Sequence, residues 1–200
     1  SAQKLDIEFI NWLGEKQIPF VVIFTKTDKA KAVEINKNIN GFMEKLAENI
    51  VYTAHQKFIN FGIKSISVDD ICNELRISKK TFYIHFGQKE SLIEAVLEYE
   101  MRKNTEVFEK MYKNKNAIDA LIIIIKELKN RIDKEPDTFL HDLEKYYPVT
   151  YAKFKDKQTV RIRSCFENNL KKGIEEGFYR EDIDIELVSL FHSIQIRHTF

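Results

Sequence analysis

Side chains that donate hydrogen bonds cluster near the middle of the chain. They are Ser67, Ser78, Lys79, Lys80, Thr81, Tyr83, His85 and Lys89. Ammonium, hydroxyl and imidazole groups at this density suit hydrogen bonding to phosphate oxygens and to the edges of bases. No Ser-His-Asp or Cys-His set has support from its context, so the chemistry indicated here is recognition and not catalysis.

A first short helix is predicted to precede the cluster. Val68, Ile71 and Leu75 are spaced three and four residues apart, which places them on one helix face. Ser67 stands before this helix and Asp70 three residues later. That pattern supplies acceptors for the free backbone N–H groups at a helix start.

A second short helix carries most of the cluster. Ser78 is placed to cap it, and Phe82 and Phe86 point inward at a spacing of four residues. Two short helices, of which the second is capped, basic and aromatic, are what a helix-turn-helix needs to reach a major groove. The sequence therefore predicts a protein that binds duplex DNA.

This stretch resembles the DNA-binding domain of TetR-type bacterial transcriptional regulators over about residues 46–100. The pattern runs through Phe58, Gly62, Ser67-Val68, Asp70-Ile71, Ile77-Ser78-Lys79, Thr81-Phe82-Tyr83, His85-Phe86 and Lys89-Glu90-Ser91-Leu92. One departure is Arg76, where the family usually has Gly because a left-handed turn is easy for Gly.

The resemblance implies a role for each clustered residue. Lys80 and Thr81 would contact base edges or nearby phosphates, with Ser78 and Lys79 beside them at the helix start. Phosphate contacts are implied for Ser67, Tyr83, His85 and Lys89. The family also implies a repressor that acts as a homodimer on a near-palindromic operator and is switched by a small-molecule effector.

The net charge of the clustered residues favours DNA binding by two copies of the chain. The chain has 32 basic and 31 acidic residues, which excludes a mechanism based on a polybasic chain. Between residues 67 and 89, the basic residues Arg76, Lys79, Lys80 and Lys89 stand against Asp69, Asp70 and Glu74, a net of +1. That is weak for a monomer on DNA and favours a dimer.

The expected fold is all-α and TetR-like. Three Pro and six Gly in 200 residues imply few turns and long helices. We expect a helix-turn-helix DNA-binding domain at 43–92, with its first helix from about 46. A helical effector-binding and dimerisation domain follows at 93–200. Its aliphatic run 121–125 could form a strand, but the flanks keep the helical period, which predicts a buried helix.

Further helix limits come from Pro and Gly. A short helix must stop before Pro148, a long one runs from about 150 to 172, and the last starts near Asp184. The family pairs through its last two helices, and the chain has room for only the first of them. We therefore expect an incomplete domain that dimerises poorly.

Residues 1–42 resemble something else. A helix, a break at Pro19 and a β-branched run at 21–24 lead to Thr25-Lys26-Thr27-Asp28. This order resembles the guanine-reading part of EngB/YsxC-type ribosome-assembly GTPases, in which Asp28 would bind the guanine edge and Lys26 would pack along the base. The segment is predicted as a helix-strand-helix fragment of such a GTPase.

The alternative function, a GTP-binding protein with an appended helical domain, lacks a phosphate site. No G-x-x-x-x-G-K-[S/T] loop occurs in the sequence, and one strand cannot form the parallel sheet that carries such a site. We expect no cofactor, no metal and no enzymatic activity. Cys72 and Cys165 stand far apart in the sequence. No apolar run or signal peptide indicates a membrane, so the expected location is cytoplasmic.

Overall fold

The computed structural model describes residues 32–132 and 138–199. Within these residues the chain forms eight α-helices and no strand. The helices are α1 Ala32–Phe61, α2 Val68–Leu75, α3 Lys79–Phe86, α4 Lys89–Tyr112, α5 Ala117–Ile132, α6 Thr138–Tyr146, α7 Pro148–Glu175 and α8 Ile185–Thr199. The all-α prediction is confirmed for this part of the chain.

The first helix begins earlier than the sequence predicted. α1 starts at Ala32 and not near residue 46, so it runs unbroken through the boundary expected after residue 42. Gly41 does not end it, since Gly in a helix interior costs only about 1 kcal/mol relative to Ala. The predicted strand at 21–24 and the 25–28 motif lie outside the described residues.

A compact core joins the first four helices. Phe58 of α1 and Phe82 of α3 are fully buried, as are Ile71 of α2 and Leu92 and Val96 of α4. Burying each such side chain contributes roughly 1.5–3 kcal/mol. This core fixes the two short helices of the motif against the long ones.

The same core extends into α6. Phe139 stacks on Phe58 with ring centroids 6.3 Å apart, and Leu143 is fully buried in the same cluster. Between them, Asp142 Oδ2 accepts a hydrogen bond from the backbone N–H of Lys64, 2.9 Å away. Lys64 lies in the loop formed by residues 62–67, which connects α1 to α2, so α6 contacts the helix-turn-helix unit directly.

A ladder of polar contacts joins α4 and α7 in parallel. Its rungs are Thr150 to Glu90 at 2.8 Å, Lys153 to Glu94 at 3.5 Å, Lys157 to Glu98 at 2.8 Å, and Arg161 to the carbonyl oxygen of Met101 at 2.6 Å. Partners advance by three or four residues on both helices, which keeps them on one face of each. The two ion pairs are exposed and each contributes little stability.

The prediction of a buried helix at 118–132 is half right. A helix forms there and Ala120 is buried, but Ile118, Ile122 and Ile125 are exposed. Leu121, Ile123 and Ile124 are half-buried. Its contacts are with α4 and α7, which cover one side of it. The later helix limits agree with prediction: α6 ends at Tyr146, and Asp184 caps α8 by accepting the N–H of Leu187 at 3.0 Å.

Candidate nucleic-acid interface

The start of α2 is fixed by a reciprocal cap. The backbone N–H of Asp70 donates to Ser67 Oγ over 3.2 Å, and the backbone N–H of Ser67 donates to Asp70 Oδ2 over 2.7 Å. The Ser67 hydroxyl also donates to the same carboxylate oxygen, 2.6 Å away. These hydrogen bonds hold the pKa of Asp70 below its usual value. Ser67 is exposed, so the predicted capping box also leaves its hydroxyl at the surface.

The turn between α2 and α3 has the conformation that Gly usually supplies. Arg76 adopts the left-handed conformation with φ 55° and ψ 38°. Its N–H donates to the carbonyl of Asn73, and the N–H of Ile77 donates to that of Cys72 over 3.0 Å. This pair of bonds is a Schellman motif, so the turn forms despite the departure from Gly.

The start of α3 is capped by Ser78. The N–H of Thr81 donates to Ser78 Oγ over 3.0 Å, and the two hydroxyl oxygens lie 2.9 Å apart. Lys79 Nζ pairs with Asp69 Oδ1 at 2.8 Å, which raises the pKa of Lys79. Lys80 is exposed, and in the described part of the chain its side chain has no ion pair or hydrogen bond.

The outer face of α3 also carries an apolar side chain that sequence reasoning missed. Ile84 is 62% exposed, more than Tyr83 at 48%. It follows Lys80 by four residues, so the two share a helix face. The spacing in the sequence could have revealed the exposure of Ile84, because Phe82 and Phe86 already occupy the buried face of the helix. An exposed aliphatic group beside a lysine suits contact with a thymine methyl group.

His85 is less available than its neighbours. Its ring is half-buried beside Phe86, at 6.2 Å between centroids, and its Nε2 atom is buried with no hydrogen-bond partner among the described residues. A phosphate contact through Nε2 would need the ring to turn. The predicted role of His85 in DNA contact stays a prediction.

Lys89 is the most constrained member of the cluster. Its Nζ donates to the carbonyl oxygens of Ile63 and Ile66, at 2.7 and 2.5 Å, and lies 5.7 Å from the centre of the Phe58 ring. Burial lowers its pKa, against the opposing effects of Asp142 and Asp70. The structure thus places seven predicted residues on the starts of α2 and α3 and along α3, and turns the eighth inward.

Other functional classes gain no support from the described residues. Cys72 is buried in the core, and burial raises its pKa. Among residues 32–132 and 138–199, no three His, Cys, Asp or Glu side chains group in a way that could hold a metal ion. No helix in that same part has the length and apolar character needed to cross a membrane.

Two curated relatives match short segments of the chain. A probable GTP-binding protein EngB from Christiangramia forsetii is 41% identical over 69 residues, 34% of either chain. A probable GTP-binding protein EngB from Bacteroides thetaiotaomicron is 50% identical over 46 residues, 23% of either chain. The chain thus spans about a third or less of the length of these relatives.

Solved structures match the fold. A TetR-family transcriptional regulator from Pectobacterium atrosepticum superposes with a TM-score of 0.60 at 17% identity, over 79% of this chain and 81% of that one. The reduced form of Escherichia coli NemR gives 0.58 at 14%, over 75% and 82%. Salmonella enterica GusR gives 0.56 at 19%, over 76% and 80%. At these identities the similarity concerns the fold.

The family match falls on the helix-turn-helix unit. The model of the bacterial regulatory proteins of the tetR family matches residues 50–96, which run from the second half of α1 into α4 and include every residue of the predicted cluster. Residues 50–96 therefore match the helix-turn-helix segment of the bacterial tetR family of regulatory proteins, and the described residues share the all-α fold of the solved regulators.

Proposed function

We propose that the chain is a sequence-specific DNA-binding transcriptional repressor whose DNA affinity is switched by a small-molecule effector. The observation that carries the DNA-binding part is α3, a capped helix that is anchored by buried Phe82 and presents exposed Lys80, Tyr83 and Ile84. A short helix whose inner face is fixed by buried side chains can enter a major groove without having to become ordered on binding.

The proposed contacts divide into two kinds. Lys80 and Thr81 read base edges, and Ile84 adds an apolar contact on the same face as Lys80. Ser67, Ser78, Lys79, Tyr83 and His85 contact phosphates near the starts of the two helices and along α3. Lys79 must then leave or share Asp69, its partner in the free protein.

The two kinds of contact are distinguished by two substitutions on α3. Duplexes selected by the chain from a random pool serve as the probe, with fluorescence anisotropy as the measurement. Lys80→Ala should lose preference for the selected sequence by about 1–3 kcal/mol, because a base-edge contact discriminates between bases. Tyr83→Phe should weaken selected and random duplexes alike, because a phosphate contact carries no sequence information.

Three outcomes of this experiment are informative. If the chain selected no sequence from the pool, the proposed function would be wrong. If Tyr83→Phe changed the preferred sequence while keeping affinity, the two roles would be reversed. Ser164→Ala, on the distant helix α7, serves as the control that should change neither property.

Effector control is supported by the contacts between α6 and the 62–67 loop. Asp142 holds the N–H of Lys64, and Phe139 stacks on Phe58 of α1. A ligand that moved α6 would therefore change the segment that leads into α2. We accordingly divide the chain into a DNA-binding domain at 43–92 and an effector-binding and dimerisation domain at 93–200. The boundary at residue 43 lies inside α1.

The proposed partner is a near-palindromic operator bound by two copies of the chain. Two-fold symmetric sites place half-sites about one helical turn of DNA apart, to match paired recognition helices. The weak net charge of the cluster supports pairing, because Lys79 and Lys89 are already engaged within the protein. A regulator of this kind would work in the bacterial cytoplasm. GTP binding is less well supported, because the sequence has no phosphate-binding loop.

A further inference from the structure

The ammonium group of Lys89 is enclosed by its own protein. Two of its three donors go to carbonyl oxygens, that of Ile63 at 2.7 Å and that of Ile66 at 2.5 Å. The group also lies 5.7 Å from the centre of the fully buried Phe58 ring. A cation over an aromatic face, bonded to two carbonyls, is held by three attractions that all come from within the fold.

Both carbonyls belong to the loop formed by residues 62–67. Ile63 is fully buried and Ile66 is 8% exposed, so their backbone oxygens need partners inside the protein. Lys89 is at the first residue of α4, and it closes a contact over 23 and 26 positions of sequence. Without the Lys89 ammonium group, these two carbonyl oxygens would lie beside the core with no hydrogen-bond donor among the contacts of the described residues.

The loop is also held from its other side. Asp142 of α6 accepts the N–H of Lys64, and the same carboxylate oxygen would lie only 2.7 Å from a Cβ placed on Gly62. The last residue of the loop is Ser67, which caps α2. Lys89 and Asp142 therefore both hold the loop that leads into α2.

We propose that Lys89 is a positioning residue, which sets the start of α2 by holding the 62–67 loop and does not itself contact phosphate. This inference rests on the proposed DNA-binding function. It assigns Lys89 a role opposite to that of Lys80, whose exposed ammonium has no ion pair or hydrogen bond in the described part of the chain. Both are lysines of the same motif, and only their surroundings separate them.

The salt dependence of DNA binding tests the proposal. Each lysine that neutralises a phosphate adds about 0.9 to the slope of log K against log salt concentration. The full chain is titrated with a labelled duplex that it has selected from a random pool, as wild type and as Lys89→Met, Lys89→Arg and Lys80→Met. Met keeps an unbranched side chain of similar length and removes the donors. Amide hydrogen exchange at residues 63–67 is followed in the same proteins without DNA.

A positioning role predicts a specific combination of results. Lys89→Met should bind about tenfold more weakly with an unchanged salt slope, and the amide of Lys64 should exchange faster because the loop is released. Lys80→Met, the matched control, should lower the slope by about 0.9 and leave exchange in the loop as it was. Lys89→Arg should behave like Lys89→Met, because a planar guanidinium fits a different set of acceptors.

The opposite combination would overturn the proposal. A slope reduced by about 0.9 in Lys89→Met with unchanged loop exchange would identify a phosphate contact. Wild-type affinity in Lys89→Arg would do the same, and this variant decides the question if Lys89→Met fails to fold. Should the wild-type chain bind no duplex, the proposed function fails, and the exchange rates still decide whether Lys89 holds the loop.

Discussion

Arg76 adopts a backbone conformation that is costly for any residue with a Cβ atom, with φ 55° and ψ 38°. The left-handed conformation costs about 1–2 kcal/mol for such a residue. Gly avoids that cost but lowers stability by about 0.4–1 kcal/mol, because it increases the conformational entropy of the unfolded chain. Arg76→Gly should therefore raise the free energy of unfolding by roughly 0.5–1 kcal/mol. Urea denaturation followed by circular dichroism measures this change.

The matched control for that variant is Arg76→Ala. It removes the guanidinium and keeps the left-handed strain, so its stability should stay close to that of wild type. Equal stabilisation by Ala and Gly would mean that charge, and not backbone conformation, makes Arg76 unfavourable at this position.

Single residues also show what sequence could and could not predict. The caps of Ser67 and Ser78 were predictable because each acceptor lies three residues from its donor, within one turn of helix. The acceptors of Lys89 lie 23 and 26 positions away on backbone carbonyls, which no side-chain pattern reveals. The orphaned Nε2 of His85 likewise depends on how α3 packs.

At the scale of elements, the periodicity of the sequence predicted where helices form. It did not always predict their burial or their length. An unbroken aliphatic run has no polar face, so its pattern cannot say which side of α5 meets a neighbour. Packing against α4 and α7 left Ile122 and Ile125 exposed. The early start of α1 was missed because residues 32–42 were attributed to a different fold, although no Pro interrupts them.

In the described part of the chain, three connections between helices contain Gly with positive φ, and two of these, at Gly62 and Gly87, have different surroundings. Gly62 has φ 78° and Gly87 has φ 67°, but only at Gly62 would a Cβ atom meet another group, Asp142 Oδ2 at 2.7 Å. Both Ala variants should lose about 1 kcal/mol from the backbone conformation. Gly62→Ala should lose at least about 1 kcal/mol more, because the loop or α6 must move. Thermal melts of the two variants measure the difference.

The comparison of the two glycines carries its own control. Gly87→Ala reports the conformational cost alone, since its Cβ would enter open space. Equal losses in the two variants would show that α6 yields easily at Gly62. The contact between α6 and the 62–67 loop would then be too soft to carry a signal from an effector.

At the scale of the whole molecule, one hydrophobic cluster spans both proposed domains. Residues of α1 to α4 share it with Phe139, Leu143 and Phe154 of α6 and α7. Because the cluster is closely packed, a side chain displaced in one domain would leave a cavity that the other domain also borders. Shared packing of this kind therefore couples the two domains. The sequence predicted the domains but not this continuity, which depends on contacts between distant segments.

A stripe on α8 remains exposed in the single chain. Leu187, Leu190, Phe191 and Ile194 follow helical spacing and are 38–62% exposed, while Ser189 and Ser193 face inward and are buried. We expect weak self-association through this stripe, because two copies can cover each other's apolar side chains. Sedimentation velocity over a range of concentrations should show a rising average sedimentation coefficient for the wild-type chain.

Phe191→Asp should suppress that rise. In a two-fold interface each substitution occurs twice, and each buried Phe contributes roughly 1.5–3 kcal/mol, so one change should shift weak association beyond the measured range. Val160→Asp on α7 is the matched control, since Val160 is 66% exposed and lies outside the stripe. If Val160→Asp reduced association as much as Phe191→Asp, the contact between copies would lie on α7 or depend on net charge. If neither variant changed it, the stripe would have no part in pairing.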